Sequence, residues 1–373
     1  MLRFQNGINA DSTKYGKGIK YISVSDILNN QYITYDCIKG LIDIDEKTFN
    51  KFIVEYGDIL FQRSSETFED IGRANVYLDK EHSATFGGFV IRGKKISDYN
   101  PLFFRYLLCT HNARKQTVRM GAGAQHYNIG QEGLEKICLY FPCLQEQQKI
   151  SDFLSAIDNK IAAQNKIISK YETLIKGISC DYFSKQPNHI AKLKDLIIKG
   201  KAGGTPSSTV AEYYNGDIPF LSISDMTKQG KYVEFTEKHI SENGLANSSA
   251  WIVPSNSLIL SMYASVGLVC INKVPLATSQ AMFSMVLKDC NMLDYIYYYL
   301  NFFRETQIHR LLETGTQSNI NADTVRDIEI PFYSNILVFV KTLQAIENRL
   351  NNEKDMLSRL MDLKTYLLSS LFI

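Results

Sequence analysis

The chain has 373 residues, 45% of them hydrophobic, and a formal net charge of +2, which excludes a disordered polymer and leaves any nucleic-acid binding to local charge rather than a general basic excess. No apolar run is long enough to span a bilayer and Met1 to Ala10 lacks the basic-then-apolar plan of a secretory leader, so a cytoplasmic protein is expected. The seven cysteines (Cys37, Cys109, Cys138, Cys143, Cys180, Cys270, Cys290) include no Cys-x-x-Cys pair and no histidine at zinc-ligand spacing, which predicts reduced, mostly buried thiols and no structural metal.

In chain order, the elements occur twice, at a period of about 190 to 199 residues, too long for a solenoid unit and therefore a duplicated domain. The first copy opens with Ile19-Lys20-Tyr21-Ile22-Ser23-Val24-Ser25-Asp26-Ile27, which alternates as a half-buried strand does. Gly57-Asp58-Ile59-Leu60-Phe61 and Ile71-Gly72-Arg73-Ala74 follow as strand, turn and strand, and Ala84-Thr85 leads into another apolar strand. An aromatic-rich helix from Pro101 to Arg119 comes next, then the polar loop Gly123-Ala124-Gln125-His126-Tyr127-Asn128-Ile129 and a strand ending at Pro142. From Arg92 to Arg119 seven basic residues (Arg92, Lys94, Lys95, Arg105, Arg114, Lys115, Arg119) face Asp98 alone, read either as a DNA footprint or as a solvated face.

A long helix is predicted from about Glu146 to Phe183. Ile150, Leu154, Ile157, Ile161, Gln164, Ile168, Tyr171, Ile175 and Ile178 alternate four and three apart, a coiled-coil seam. The second copy then begins with a lead-in, Ala191-Lys192-Leu193-Lys194-Asp195-Leu196-Ile197-Ile198, and a weaker basic cluster, Lys192, Lys194, Lys199 and Lys201. The first copy starts almost directly at Phe4-Gln5-Asn6-Gly7, so it is expected to lack its opening strand. Ile218-Pro219-Phe220-Leu221-Ser222-Ile223-Ser224-Asp225-Met226, Asn256-Ser257-Leu258-Ile259-Leu260, Val266-Gly267-Leu268-Val269, Ala277-Thr278, a helix from Met292 to Leu312 and the loop Gly315-Thr316-Gln317-Ser318-Asn319-Ile320 answer the first copy piece by piece. A second long helix, about Ile336 to Phe372, repeats the seam as Phe339, Leu343, Ile346, Leu350, Glu353, Leu357, Leu360, Lys364 and Leu367. Polar Gln164 and Glu353 at the same place argue that the two helices pair with each other, the alternative being that each packs on its own domain.

This plan resembles the specificity subunit of Type I restriction-modification systems over nearly the whole chain. The carrying residues are Gln147-Gln148-Lys149-Ile150-Ser151-Asp152-Phe153-Leu154-Ser155-Ala156-Ile157-Asp158 after Pro142, Gly204-Thr205-Pro206, and Tyr213-Tyr214-Asn215-Gly216-Asp217-Ile218-Pro219-Phe220-Leu221-Ser222, with Phe183 and Phe372 as helix ends. The resemblance implies an α/β (α+β) fold of two pseudo-symmetric target-recognition domains (residues 1–144 and 186–334) separated by two long helices (145–185 and 335–373) that pair as an antiparallel coiled coil. It implies that each domain reads one half of a bipartite target in double-stranded DNA, while the helices set the unread spacer and dock two methyltransferase subunits, with restriction-motor subunits joining. S-adenosylmethionine, ATP and Mg²⁺ are then expected only in the partner subunits, and no cofactor in this chain.

Enzyme motifs argue the same way by failing. Asn100-Pro101-Leu102-Phe103 lacks the second proline of an adenine methyltransferase and reads more simply as proline in a helix's first turn. Gly200-Lys201-Ala202-Gly203-Gly204 lacks the Gly-Lys-Ser/Thr ending of a phosphate loop, the six histidines show no metal or triad spacing, and Asp43, Asp45 and Glu46 read as a surface turn. For base readout, Arg, Gln and Asn can bond paired atoms of a base edge, while Ser, Thr and Lys hold phosphates. The candidates are Arg63, Ser64, Ser65, Arg73, Arg119, Gln125, His126, Tyr127 and Asn128 in the first domain. In the second they are Lys201, Tyr263, Ser265, Ser279, Gln280, Gln317, Ser318 and Asn319. Competing readings are a variant specificity subunit that binds DNA without an active complex, a coiled-coil scaffold that binds protein alone, and a self-contained nuclease or methyltransferase.

Overall fold

The computed structural model describes residues 1–123, 126–311 and 319–372. They form two compact units, unit 1 from Met1–Lys166 with Asp355–Ile373 and unit 2 from Ile167–Lys354.

Unit 1 begins with β1 (Leu2–Asn6), β2 (Tyr15–Ile22), α1 (Val24–Asn29), β3 (Leu41–Ile42) and α2 (Glu46–Lys51). It continues with β4 (Ile59–Gln62), β5 (Ser64–Ser65), β6 (Ala74–Val76), β7 (Thr85–Phe86) and β8 (Val90–Lys95), then α3 (Pro101–Leu107), α4 (His111–Arg119), β9 (Tyr127–Asn128), α5 (Gln131–Glu135) and the start of α6 (Leu144–Phe183). One sheet runs β1-β8-β4-β6 and a smaller one β3-β2-β7. Unit 2 contains the end of α6, β10 (His189–Lys192), α7 (Leu193–Leu196), β11 (Ile197–Ala202), β12 (Ile218–Leu221), α8 (Ile223–Gln229), β13 (Tyr232–Val233), β14 (Lys238–Ile240) and α9 (Glu242–Ala246). After these come β15 (Leu258–Ser261), β16 (Val269–Asn272), β17 (Ala277–Thr278), β18 (Met282–Leu287), α10 (Leu293–Thr306), α11 (Ala322–Arg326), β19 (Glu329–Phe332) and α12 (Ile336–Ser370), whose last turns belong to unit 1. Its sheets run β11-β18-β15-β16-β13 and β14-β12-β17.

The duplication extends to register. β1–β8, β4–β8 and β4–β6 are antiparallel pairs, as are β11–β18, β15–β18 and β15–β16. β2 pairs in parallel with β7 through Tyr21–Thr85 and Ile22–Phe86, and β12 with β17 through Phe220–Ala277 and Leu221–Thr278. Each parallel strand ends in the same capping box: Ser23 donates its N–H and hydroxyl to Asp26 at 2.8 and 2.7 Å, and Ser222 to Asp225 at 2.9 and 2.6 Å. These short acidic caps start α1 and α8 directly at the strand ends, where an unpaired N–H would otherwise be stranded. Glycine is required at one matching place in each unit, since a Cβ on Gly7 would lie 2.1 Å from the Gly87 carbonyl oxygen and one on Gly203 would lie 2.0 Å from that of Thr278.

Asn100 caps α3 by accepting the Phe103 N–H at 2.9 Å with Pro101 at the first turn, which accounts for the Asn-Pro-x-Phe run. In both long helices every seam position is buried or half-buried, and Leu154 and Leu343 are fully buried. Within unit 2, Glu172 meets Lys354 at 3.0 Å and Tyr182 stacks on Phe339, so α6 and α12 run antiparallel there. Within unit 1, Lys364 of α12 pairs with Asp158 of α6 at 2.5 Å. The helix ends plug the cores: Phe372 lies against Phe103 and Phe183 against Tyr299 and Phe302. The cysteine expectation needs correcting: all seven are free, but Cys109, Cys138, Cys143, Cys180 and Cys290 are exposed because they fall on helix faces and connecting turns, and Cys270 alone of the seven is buried.

Candidate nucleic-acid interface

In unit 1 the candidate loop residues are drawn together by a two-stranded ribbon. β5 pairs antiparallel with β9, Ser64 opposite Asn128 and Ser65 opposite Tyr127. The Ser64 hydroxyl donates to the Asn128 side-chain oxygen at 2.5 Å, and the Ile129 N–H donates to the Arg63 carbonyl at 3.0 Å. Arg63 is anchored from the other side, its N–H on the Phe89 carbonyl at 2.9 Å and its guanidinium on that of Gly88 at 3.3 Å. Tyr127 packs edge-on against Phe68, leaving Asn128 and His126 exposed at the tip. Arg119 ends α4, exposed and three residues from Ala122, whose main chain pairs with Asn128. Arg73 adjoins this group through its main chain, its carbonyl accepting from the Gln62 N–H at 2.8 Å, while Asp70 holds its guanidinium at 2.6 Å, beside Arg105 and Arg114.

Unit 2 builds the corresponding place with different chemistry. The Ile320 N–H donates to the Met262 carbonyl and the Met262 N–H to that of Ala281, the bonds Arg63 makes in unit 1, so Met262 and Ala281 stand where Arg63 and Phe89 do. Ala264 and Ser265 adopt φ of 37° and 53°, left-handed values unusual outside glycine, and the Ser261 hydroxyl braces the turn by donating to the Tyr263 and Ala264 carbonyls. Tyr263 and Ser265 are thereby presented to solvent. Gln280 is exposed and accepts from Thr205, Ser279 caps the following turn through Ala281, and Lys201 reaches the Ser249 carbonyl at 3.4 Å. Asn319 is half-buried next to Ile320. Gln125, Gln317 and Ser318 lie outside the described residues.

Neither basic cluster forms a free cationic face. Arg92 is buried and bonds Ile53 and Gln5, Lys94 pairs with Glu55 at 3.0 Å, and Lys95 sits over the Tyr99 ring. Arg105 and Arg114 donate to the carbonyls of Gln31, Glu69 and Ile71, and burial pushes the Arg114 guanidinium below its ordinary pKa. Lys115 and Arg119 stay exposed. In the second cluster Lys192 and Lys194 share Asp327, and Lys199 covers the Trp251 ring at 4.0 Å. Among the described residues no group of three or more His, Cys, Asp or Glu is placed to hold a metal.

Sequence reasoning passed over the aromatic wall beside Ser64. Tyr15, Tyr21 and Ser25 line a cleft of about 500 Å³ with Gly88 and Phe89, and Phe89 is 69% exposed. The available signal was the Gly87-Gly88 pair ahead of a phenylalanine, a backbone pressed close to Tyr21.

The two duplicated units thus present unlike polar and aromatic rims on a common framework. Residues 5–173 and 187–354 each match the family described as the Type I restriction modification DNA specificity domain. The chain belongs to this family. It carries two such specificity domains. It is similar to the Type I restriction enzyme MjaIX specificity subunit of Methanocaldococcus jannaschii, 30% identical over 147 residues, 39% of this chain and 34% of that one, so it spans about a third of that relative's length. It is 23% identical to the HindI specificity subunit of Haemophilus influenzae over an alignment covering 92% of each chain. In fold it is similar to the crystal structure of a Type-I restriction-modification system S subunit from M. genitalium, with a TM-score of 0.58 at 14% identity, covering all of this chain and 94% of that one. A chain from a study of complex assembly and conformational transition of the type I R-M system gives 0.56 at 13%, with 97% of that chain covered. No helix among the described residues is long and apolar enough to cross a membrane.

Proposed function

We propose that the chain gives a cytoplasmic Type I restriction-modification complex its DNA sequence specificity, each unit reading one half of a bipartite target. The observation that carries this is the difference between the two rims on a common framework: Arg63, Ser64 and Asn128 beside Phe89 in one, Tyr263, Ser265, Gln280 and Asn319 in the other. Amide and guanidinium groups on strand-anchored loops discriminate base edges in the major groove, and unlike rims read unlike half-sites. The remaining candidates, Ser65, Arg73, Arg119, Gln125, His126, Tyr127, Lys201, Ser279, Gln317 and Ser318, supply phosphate contacts or further readout. The domains are residues 1–144 and 186–334. The helical segments 145–185 and 335–373 set the unread spacer and dock two methyltransferase subunits, to which restriction-motor subunits add. S-adenosylmethionine, ATP and Mg²⁺ belong to those partners.

The test is single-molecule sequencing of methylated adenines in DNA from a host without other methyltransferases, expressing this chain with its neighbouring methyltransferase subunit. A split motif with a fixed gap, lost when this gene is removed, is the expected result. Absence of methylation from a soluble complex would refute the active-complex reading.

A further inference from the structure

In unit 1 the turn that enters β8 holds one apolar side chain out toward solvent on a fixed main chain. The Val90 N–H closes the turn on the Gly87 carbonyl at 2.9 Å, and the Gly87 N–H donates to the Ile22 carbonyl at 3.0 Å. The Gly7 N–H bonds the Val90 carbonyl at 3.1 Å, and a Cβ on Gly88 would lie 1.6 Å from Asn9 Oδ1, so position 88 has no room for a side chain. Arg63 secures the next residues, its N–H on the Phe89 carbonyl and its guanidinium on that of Gly88. The Phe89 ring is nonetheless 69% exposed. It stands at the opposite end of β8 from Met1, whose carbonyl accepts from Ile96.

A single exposed phenylalanine is ordinary on a protein surface, but Phe89 is continuous with the polar rim. Half-buried Tyr15, Tyr21 and Val24 line the same cleft, as does Ser64, which bonds Asn128 across the ribbon. The duplication gives this place a counterpart. Ile22–Phe86 and Leu221–Thr278 are matching parallel pairs, so Gly88-Phe89 corresponds to Gln280-Ala281. In unit 2 Gln280 is exposed and Ala281 half-buried. Unit 2 therefore offers an amide where unit 1 has a bare glycine followed by a phenyl ring. An amide exchanges paired hydrogen bonds with a base edge, which a phenyl ring cannot do. Among the base edges of the major groove, the apolar feature is the 5-methyl group of thymine.

We propose that Phe89 recognises a thymine in the half-site of unit 1 by contact with that base's 5-methyl group. The inference rests on the rim being a DNA interface, and it assigns to Phe89 a base class that the hydrogen-bonding residues of the rim do not read.

The test uses the full chain in complex with its methyltransferase subunit and a duplex bearing the methylated motif. Each thymine is replaced in turn by 2′-deoxyuridine, which deletes the methyl and keeps the base pair. In the half-site whose recognition Asn128→Ala weakens, one replacement is expected to lower affinity by about three- to fivefold, the worth of one buried methyl. With Phe89→Ala that replacement should have no effect, while Phe89→Leu should keep it; replacements in the other half-site should act alike on all three chains. Motif-specific binding with no methyl-sensitive thymine in this half-site overturns the inference and leaves the rim's role standing. Methyl sensitivity that survives Phe89→Ala does the same, as does Phe89→Ala acting equally on thymine and uracil duplexes. Binding without preference for the motif over unrelated DNA would refute both the inference and the reading it rests on.

Discussion

In unit 1 the Tyr106 hydroxyl donates to Asp158 of α6 at 2.8 Å, and the cation that completes the group is Lys364 of α12. In unit 2 the Tyr298 hydroxyl donates at 2.5 Å to Glu347 of α12, which holds the corresponding place in the repeat, but the cation is Lys231, at the edge of the globular sheet. Lys231 also pairs with Asp294 at 2.8 Å, and Asp294 accepts from Gln344 and Tyr232. The tyrosine–carboxylate contact is thus common to both copies while the source of positive charge is not. Unit 1 takes it from the second helix, unit 2 from the sheet. The consequence is that a single lysine ties strand, α10 and α12 together in unit 2, where unit 1 divides that task between helix pairing and the Phe103–Phe372 contact.

The largest break in this comparison is expected from Lys231→Met, which leaves two nearly buried carboxylates without their cation and should cost unit 2 about 3–5 kcal/mol. Hydrogen exchange of the full chain would read it as lost protection in β13, α10 and the first half of α12, with unit 1 amides unchanged; equal loss in both units would refute the division. Leu154→Ala and Leu343→Ala sharpen it. These matched seam residues are both fully buried, and each truncation should cost about 2–5 kcal/mol, felt in its own unit. A smaller effect, about 1–3 kcal/mol on binding, is expected from Asn128→Ala and Asn319→Ala, each weakening recognition of a different half-site in duplexes mutated one half at a time. Equal weakening on unrelated DNA would reject base readout at these positions.

Much of this was legible because it is periodic. The duplication, the seam and the strand-turn-strand segments are patterns of apolar residues, and burial follows them directly. Charge was less legible. Seven basic residues between Arg92 and Arg119 look like a surface in sequence, yet a guanidinium in a strand can turn inward when carbonyls such as that of Ile53 await it. The pairing of Lys231 with Asp294 and Glu347 joins three distant segments, and no spacing announces it. The ribbon that unites Ser64 with Asn128 reads in the sequence as two separate loops; their adjacency depends on a two-residue strand pairing too short to leave an alternating pattern.

The two units should also differ in how acid acts on them. Burial alone would raise the Asp294 pKa, but the Lys231 ion pair and the bonds from Gln344 and Tyr232 outweigh it and hold the carboxyl below its ordinary value. A depressed folded pKa gives stability that is complete above the unfolded value, about 3.9, and is lost as pH falls through the folded one. Asp58 of unit 1 is the opposite case. Burial pushes its carboxyl up in spite of the N–H bonds from Lys95 and Glu55, so the folded chain takes up this proton before the unfolded chain does. Its charged form therefore costs stability at neutral pH, and that cost is relieved as pH falls through the raised value. Taking asparagine as the stand-in for an uncharged carboxyl, the advantage of wild type over Asp294→Asn should shrink in acid while that over Asp58→Asn should grow. Denaturant unfolding of the three chains between neutral pH and pH of about 3 would check both slopes. Slopes of the same sign would mean that the Lys231 pair does not outweigh burial in unit 2, and would remove the charge asymmetry on which the comparison of the two units rests.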